Sequence, residues 1–206
     1  MRSKIILFGG TFDPVHNGHL QVAQAARQHL RANRVIFIPA RRSPHKTTPP
    51  VASEDDRLQM LGLALQDWEG CQVSDCEYRR PAPSYTVDTV QEFCTRYPHA
   101  DLIWLVGADA VKDLPRWYQI DRLMTLCTLA VMVRAGYPKP DFELCKPFFS
   151  PEQIRRLEEN IVPVPLIDIS ATEIRRRLAS GRDVSGLIPP AVLDYIRSRG
   201  LYGCTP

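Results

Sequence analysis

The stretch GGTFDPVHNGHL, residues 9–20, follows directly on the apolar run Ile5-Ile6-Leu7-Phe8. A short apolar run closed by glycines reads as a buried strand over residues 4–8. Leu20, Ala23, Ala26 and Leu30 then recur at helical spacing and predict a helix over 18–31. Gly9 and Gly10 permit a sharp turn off the strand and close approach of a ligand to the backbone. The helix beginning near Gly18 offers unpaired N–H groups and the positive end of its dipole, a natural place for an anion. His16 and His19 flank that glycine. Two histidines three apart can hold a metal, move a proton, grip phosphate or pack, and the stretch alone leaves the choice open. A metal needs further ligands, and only Asp13 is near in sequence. Neither G-x-x-x-x-G-K nor G-x-G-x-x-G is present.

Outward from this stretch the chain alternates strand and helix. RVIFIP (34–39) is a second strand, stopped by Pro39. SEDDRLQMLGLAL (53–65) opens with an S-x-x-D cap and repeats apolar residues at 58, 61 and 65. Val87, Val90, Phe93 and Tyr97 mark a helix, followed by strands DLIWLVG (101–107) and LCTLAVMVR (126–134). Ser170 and Glu173 form a capping box, Ile169 and Ile174 a hydrophobic staple, and Gly181 a stop. Pro190 begins a last helix and Gly200 ends it. Strands separated by helix-length segments predict an α/β fold, a doubly wound, mostly parallel sheet with helices on both faces, in one domain spanning residues 1–206. PARRSPHKTTPP (39–50), with its prolines and basic residues, reads as a loop at a strand end, where ligands bind in open α/β sheets.

Composition narrows the function classes. The net charge is +3, with 44% hydrophobic and 24% charged residues. So small a charge argues against nucleic acid or an anionic membrane as partner and suits a small anionic ligand. The six cysteines contain no C-x-x-C pair, which speaks against structural zinc and for reduced thiols. No apolar stretch approaches the roughly 18 residues of a membrane helix, and the first residues read as a strand rather than a signal peptide. A cytoplasmic protein is expected.

GGTFDPVHNGHL resembles the signature of the nucleotidyltransferase superfamily, and ISATEIRRRL (169–178) resembles its I-S-x-T-x-x-R element. PHK (44–46), PSYTVDT (83–89), VGADAVKDLPRWY (106–118) and VMVRAGYP (131–138) are most similar to the bacterial nicotinate-nucleotide adenylyltransferases, so the likeness covers almost the whole chain. It implies a Rossmann-like fold and transfer of the adenylyl group of ATP to nicotinate mononucleotide, with release of pyrophosphate. It also implies a divalent ion, usually Mg²⁺, held mainly by nucleotide phosphates rather than by a cage of protein ligands.

The resemblance also implies roles. His16, His19, Lys46 and Arg175 would serve catalysis as phosphate-binding groups. Gly9, Gly10, Thr11 and Phe12 on one side, and Ile169, Ser170 and Thr172 on the other, would contact ATP. Gly107 and Asp109 would meet its ribose, where a carboxylate accepts from hydroxyls. The nicotinate nucleotide would fall to His45, Tyr85, Thr86, Trp117, Tyr118 and Arg134. Trp117 would face the pyridine ring, and the N–H groups of Thr86 and Tyr118 would donate to its carboxylate. The attacking phosphate is already an anion, so no general base is required; alignment and charge stabilisation remain. Competing readings are a phosphopantetheine adenylyltransferase, a cytidylyltransferase, a nicotinamide-mononucleotide enzyme, an RNA-binding module or an inactive relative. A homo-oligomer is allowed and not required.

Overall fold

The computed structural model describes residues 2–44 and 48–204. Six strands form one parallel sheet: β1 (Ser3–Gly10), β2 (Arg34–Pro39), β3 (Cys71–Val73), β4 (Ala100–Gly107), β5 (Thr128–Arg134) and β6 (Ile161–Val164), in the order β3-β2-β1-β4-β5-β6. The connections are α1 (Asn17–Leu30), α2 (Glu54–Leu65), α3 (Thr86–Arg96), α4 (Ile120–Leu126) and α5 (Pro151–Glu159), and the tail carries α6 (Ala171–Ala179) and α7 (Pro190–Ser198). This is the doubly wound order expected from the alternation of strand and helix, and it puts the switch point between β1 and β4.

Alternation along each strand builds two cores. Ile5, Leu7, Ile36, Ile38, Leu102, Trp104 and Val131 face α3, α4 and α5. Ile6, Phe8, Val35, Phe37, Ile103, Leu105 and Ala130 face α1, α2, α6 and α7. Burial on both faces explains why the strands read as continuous apolar runs.

Several boundaries differ from the sequence expectation, each for a local reason. β1 runs on through Gly9 and Gly10, because both pair with β2. Residues 126 and 127 are not strand: Leu126 ends α4, and the Cys127 N–H bonds back to the Leu123 carbonyl. In α2 the inward stripe starts at Arg57 rather than Leu58; Ser53 Oγ caps the Asp56 N–H at 3.0 Å, and Arg57, Leu61 and Leu65 then follow at four-residue intervals. Only half of the expected box at α6 forms. Ser170 Oγ accepts from the Glu173 N–H, while the Glu173 carboxylate takes Arg176 and Arg177 instead. The short strands β3 and β6 and helices α4 and α5 lacked a periodic signature long enough to predict.

Between β1 and α1 the chain is held by Asp13, whose buried carboxylate accepts from the N–H groups of Val51 (2.7 Å) and Ala52 (3.1 Å) and from the Tyr202 hydroxyl (2.8 Å). Arg175 Nη1 donates to the Asp13 carbonyl at 2.7 Å. One residue thus joins the first loop, the start of α2, α6 and the tail. Tyr202→Phe removes one donor from this cluster and is expected to cost about 1–2 kcal/mol of unfolding free energy. Asp13→Ala strands all of the donors at once and should cost about twice as much in urea melts; a smaller loss than for Tyr202→Phe would contradict the arrangement.

Candidate active site

A crevice of about 940 Å³ opens over the carboxyl ends of the central strands. Its size lies near the upper end of the roughly 300–1,000 Å³ usual for small-molecule sites. Gly9, Gly10, Thr11, Phe12, His16 and His19 form one wall, with Gly107 and Asp109 at the end of β4 and Ile169 ahead of α6. Tyr85 and Thr86 at the start of α3, Trp117, Tyr118 and Arg134 complete it. These are fourteen of the positions that the sequence singled out, gathered from segments 160 residues apart. Ser170, Thr172 and Arg175 are not in the crevice wall. They lie in the first turns of α6, where Ser170 serves as the cap and Arg175 is bound to Asp13. His45 and Lys46 fall outside the described residues.

The glycines of the first wall act by size more than by flexibility. Neither Gly9 nor Gly10 has a positive φ, and both are extended in β1. A Cβ on Gly9 would stand 2.5 Å from the Trp104 indole, and one on Gly10 would stand 2.8 Å from the Phe12 ring. A Cβ on Gly18 would meet Ile167 at 2.8 Å and His16 Nδ1 at 3.0 Å. The turn itself falls at Phe12, whose φ of 48° is unusual for a non-glycine residue. Burial of its ring against Phe8, Phe37 and His19, with centroids 4.9–5.7 Å apart, holds that backbone in place.

The two histidines are stacked, with ring centroids 3.7 Å apart and 23° between planes. His16, only 6% exposed, lies at the N-cap of α1, and its backbone N–H donates to His19 Nδ1 at 3.3 Å. With Nδ1 accepting, neutral His19 carries its proton on Nε2, as a donor. Burial lowers the His16 pKa to about 4. The inner ring therefore stays neutral at physiological pH, and the stack carries no repulsion between two imidazolium ions. Asn17, with no role from sequence, ties the start of α1 to the tail through the carbonyls of Gly186 (2.7 Å) and Leu187 (2.9 Å).

On the opposite wall, Trp117 is half-buried, and the Tyr85 and Tyr118 rings lie 4.4 Å apart. Thr86 is the first residue of α3, so its N–H belongs to the first turn, where helix donors have no partner within the helix. Sequence reasoning missed what holds this wall. Ser84 Oγ accepts from the Arg41 N–H at 3.2 Å, and the Ser84 N–H donates to the Arg42 carbonyl at 2.9 Å. Buried Glu77 accepts from the Thr89 hydroxyl at 2.7 Å, and desolvation raises its pKa. The spacing 57-61-65 behind the Ser53 cap could have exposed Arg57; nothing local marks Glu77.

Among the described residues no three His, Cys, Asp or Glu side chains converge as metal ligands. No helix among the described residues is long and apolar enough to cross a membrane.

The pattern of the cytidylyltransferase-like family matches residues 7–177. A probable nicotinate-nucleotide adenylyltransferase of Thermomicrobium roseum is 41% identical over 200 residues, covering 97% of this chain and 92% of its own. Another, from Thermus thermophilus, is 42% identical over 200 residues, with 97% and 99% covered. In fold, the chain is similar to the Plasmodium falciparum nicotinic acid mononucleotide adenylyltransferase complexed with NaAD, at TM-score 0.74 and 18% identity over 98% of each chain.

The depressed His16 pKa has a stability consequence. The unfolded chain takes up a proton on this residue near pH 6.5, while the folded chain resists until about pH 4. The His16 contribution is thus full above pH 6.5 and is lost as pH falls toward 4, by a limit of about 3 kcal/mol. Urea melts at pH 7 and 4.5 should show His16→Gln losing about 2 kcal/mol less than wild type. Equal losses would mean that the ring is not held neutral.

Proposed function

The chain belongs to the nicotinate-nucleotide adenylyltransferase family, and from that premise we propose how its crevice carries out adenylyl transfer. The reaction joins the phosphate of nicotinate mononucleotide to the α-phosphorus of ATP, breaks the bond to the β-phosphate and releases pyrophosphate. The observation that carries the assignment of residues is the convergence of the TFDPVHNGH turn, Asp109 and the SYT and RWY segments on one crevice at the switch point.

In this reading the triphosphate lies along Gly9 to Thr11 against the start of α1. His19 donates from Nε2 to the phosphates, and His16, neutral and buried, is a hydrogen-bond donor that adds no charge. Arg175 supplies positive charge from the α6 side, close to the Asp13 turn, and the cap of α6 at Ser170 directs first-turn N–H groups the same way. Lys46 and His45 are assigned to phosphate and mononucleotide on motif alone. Asp109 accepts from the ribose; Gly107 leaves the carboxylate room, since a Cβ there would stand 2.6 Å from Asp109 Oδ1. A divalent ion, Mg²⁺ in our reading, arrives on the nucleotide phosphates. When bound, such an ion neutralises charge building on the leaving pyrophosphate.

The pyridine ring lies on Trp117, with Tyr85 and Tyr118 beside it and Arg134 toward the mononucleotide. Main-chain donors at Thr86 and Tyr118 suit a carboxylate; a carboxamide would turn its NH₂ toward one of them, leaving donors face to face.

Pyrophosphate release from ATP, measured with nicotinate mononucleotide, nicotinamide mononucleotide and phosphopantetheine side by side, is expected to be fastest with the first. Preference for phosphopantetheine would overturn the substrate. His19→Ala should lower kcat by about 10²-fold or more in protein that circular dichroism shows to be folded. Trp117→Ala should raise the KM for the mononucleotide about tenfold and leave that for ATP alone. A shift confined to ATP would move the ring to a different part of the crevice.

A further inference from the structure

Arg57 on α2 heads the largest fully buried side chains and is 1% exposed. Its Nη1 donates to two carbonyls, Thr11 at 3.0 Å and Ala40 at 2.7 Å. These belong to the segments leaving β1 and β2, just past the last backbone bond between them, from the Ala40 N–H to the Gly10 carbonyl at 2.8 Å. The guanidinium therefore takes over where the ladder ends and the strands part to open the crevice. Its flat face lies 5.2 Å from the Tyr78 ring centroid.

What Arg57 lacks is an anion in contact with it. Among the described residues no carboxylate reaches it within ion-pair distance, and its Nε has no acceptor. Buried Glu77 feels the Arg57 charge without touching it; one of its oxygens accepts from Thr89, the other has no partner, and burial moves the group toward its neutral form. Asp13 accepts from two backbone N–H groups and Tyr202. A buried cation without a contacting counter-charge is costly, and a methionine of similar length would fill the space without that cost. Thr11, whose carbonyl it holds, is itself part of the crevice wall.

We propose that Arg57 is a positioning residue for polyphosphate: it fixes the β1 turn against the loop after β2, and its buried charge is balanced when nucleotide phosphates occupy the other side of Thr11. It acts through the backbone and never touches substrate. The inference rests on the reading of the crevice as an ATP site and adds a residue that the motifs do not contain.

Two substitutions separate charge from support. Arg57→Lys keeps the charge and a donor; Arg57→Gln keeps a donor and loses the charge. ATP affinity is measured by calorimetry on protein shown folded by circular dichroism, alongside KM for both substrates. Arg57→Gln is expected to weaken ATP at least tenfold with the mononucleotide KM within twofold, and Arg57→Lys to stay within threefold of wild type. Equal ATP affinity of the two variants, or equal weakening of both substrates, would overturn the proposal. Should the glutamine variant not fold, the lysine variant decides alone: affinity within threefold upholds the proposal, and a larger loss overturns it. Wild type that binds ATP but does not turn over nicotinate mononucleotide would sink the assigned reaction and leave the Arg57 inference to the calorimetry.

Discussion

The crevice depends on one buried carboxylate. Asp13 stands where β1 has ended and α1 has not begun, the place where a backbone has fewest partners of its own. By accepting from Val51, Ala52 and Tyr202 it replaces the missing ladder with three hydrogen bonds from distant parts of the chain. Hydrogen bonds to a charged acceptor are the stronger kind, and none of these can swing away without exposing a buried charge. Phe12 and the His16 cap lie on either side of that fixed point in the chain.

The stacked histidines show how one motif divides its labour. The inner ring is dry and neutral, and the outer one is half-exposed with its tautomer set by the inner residue's N–H. Sequence treats the two as equivalent donors. Structure sets them apart in burial and hydrogen bonding, while both line the crevice. Gly18 between them is required because the inner ring and Ile167 press against its Cα, a steric demand rather than a conformational one.

Much of this was legible from residues alone. Continuous apolar strands separated by helical repeats pointed to the doubly wound sheet; the motif at 9–20 lines the crevice, whereas the motif at 169–178 reaches it only through Ile169. Arg175 meeting the Asp13 carbonyl at 2.7 Å confirms that these motifs adjoin. What stayed hidden was of two kinds. Short elements such as β3 and β6 owe their form to neighbouring strands and carry no pattern of their own. Buried polar residues, Arg57 and Glu77 above all, look in sequence like ordinary surface charges, because only tertiary packing turns them inward. Asp13 looked like a spare metal ligand for the same reason.

The bond from the Tyr202 hydroxyl spans 189 positions along the chain to reach Asp13. The last strand of the sheet ends at Val164, so the sheet is complete along the chain well before the residue that closes the turn after β1. Assembly order is thus written into the topology: the strands can pair first, and the loop leaving β1 is locked only when Tyr202 reaches Asp13.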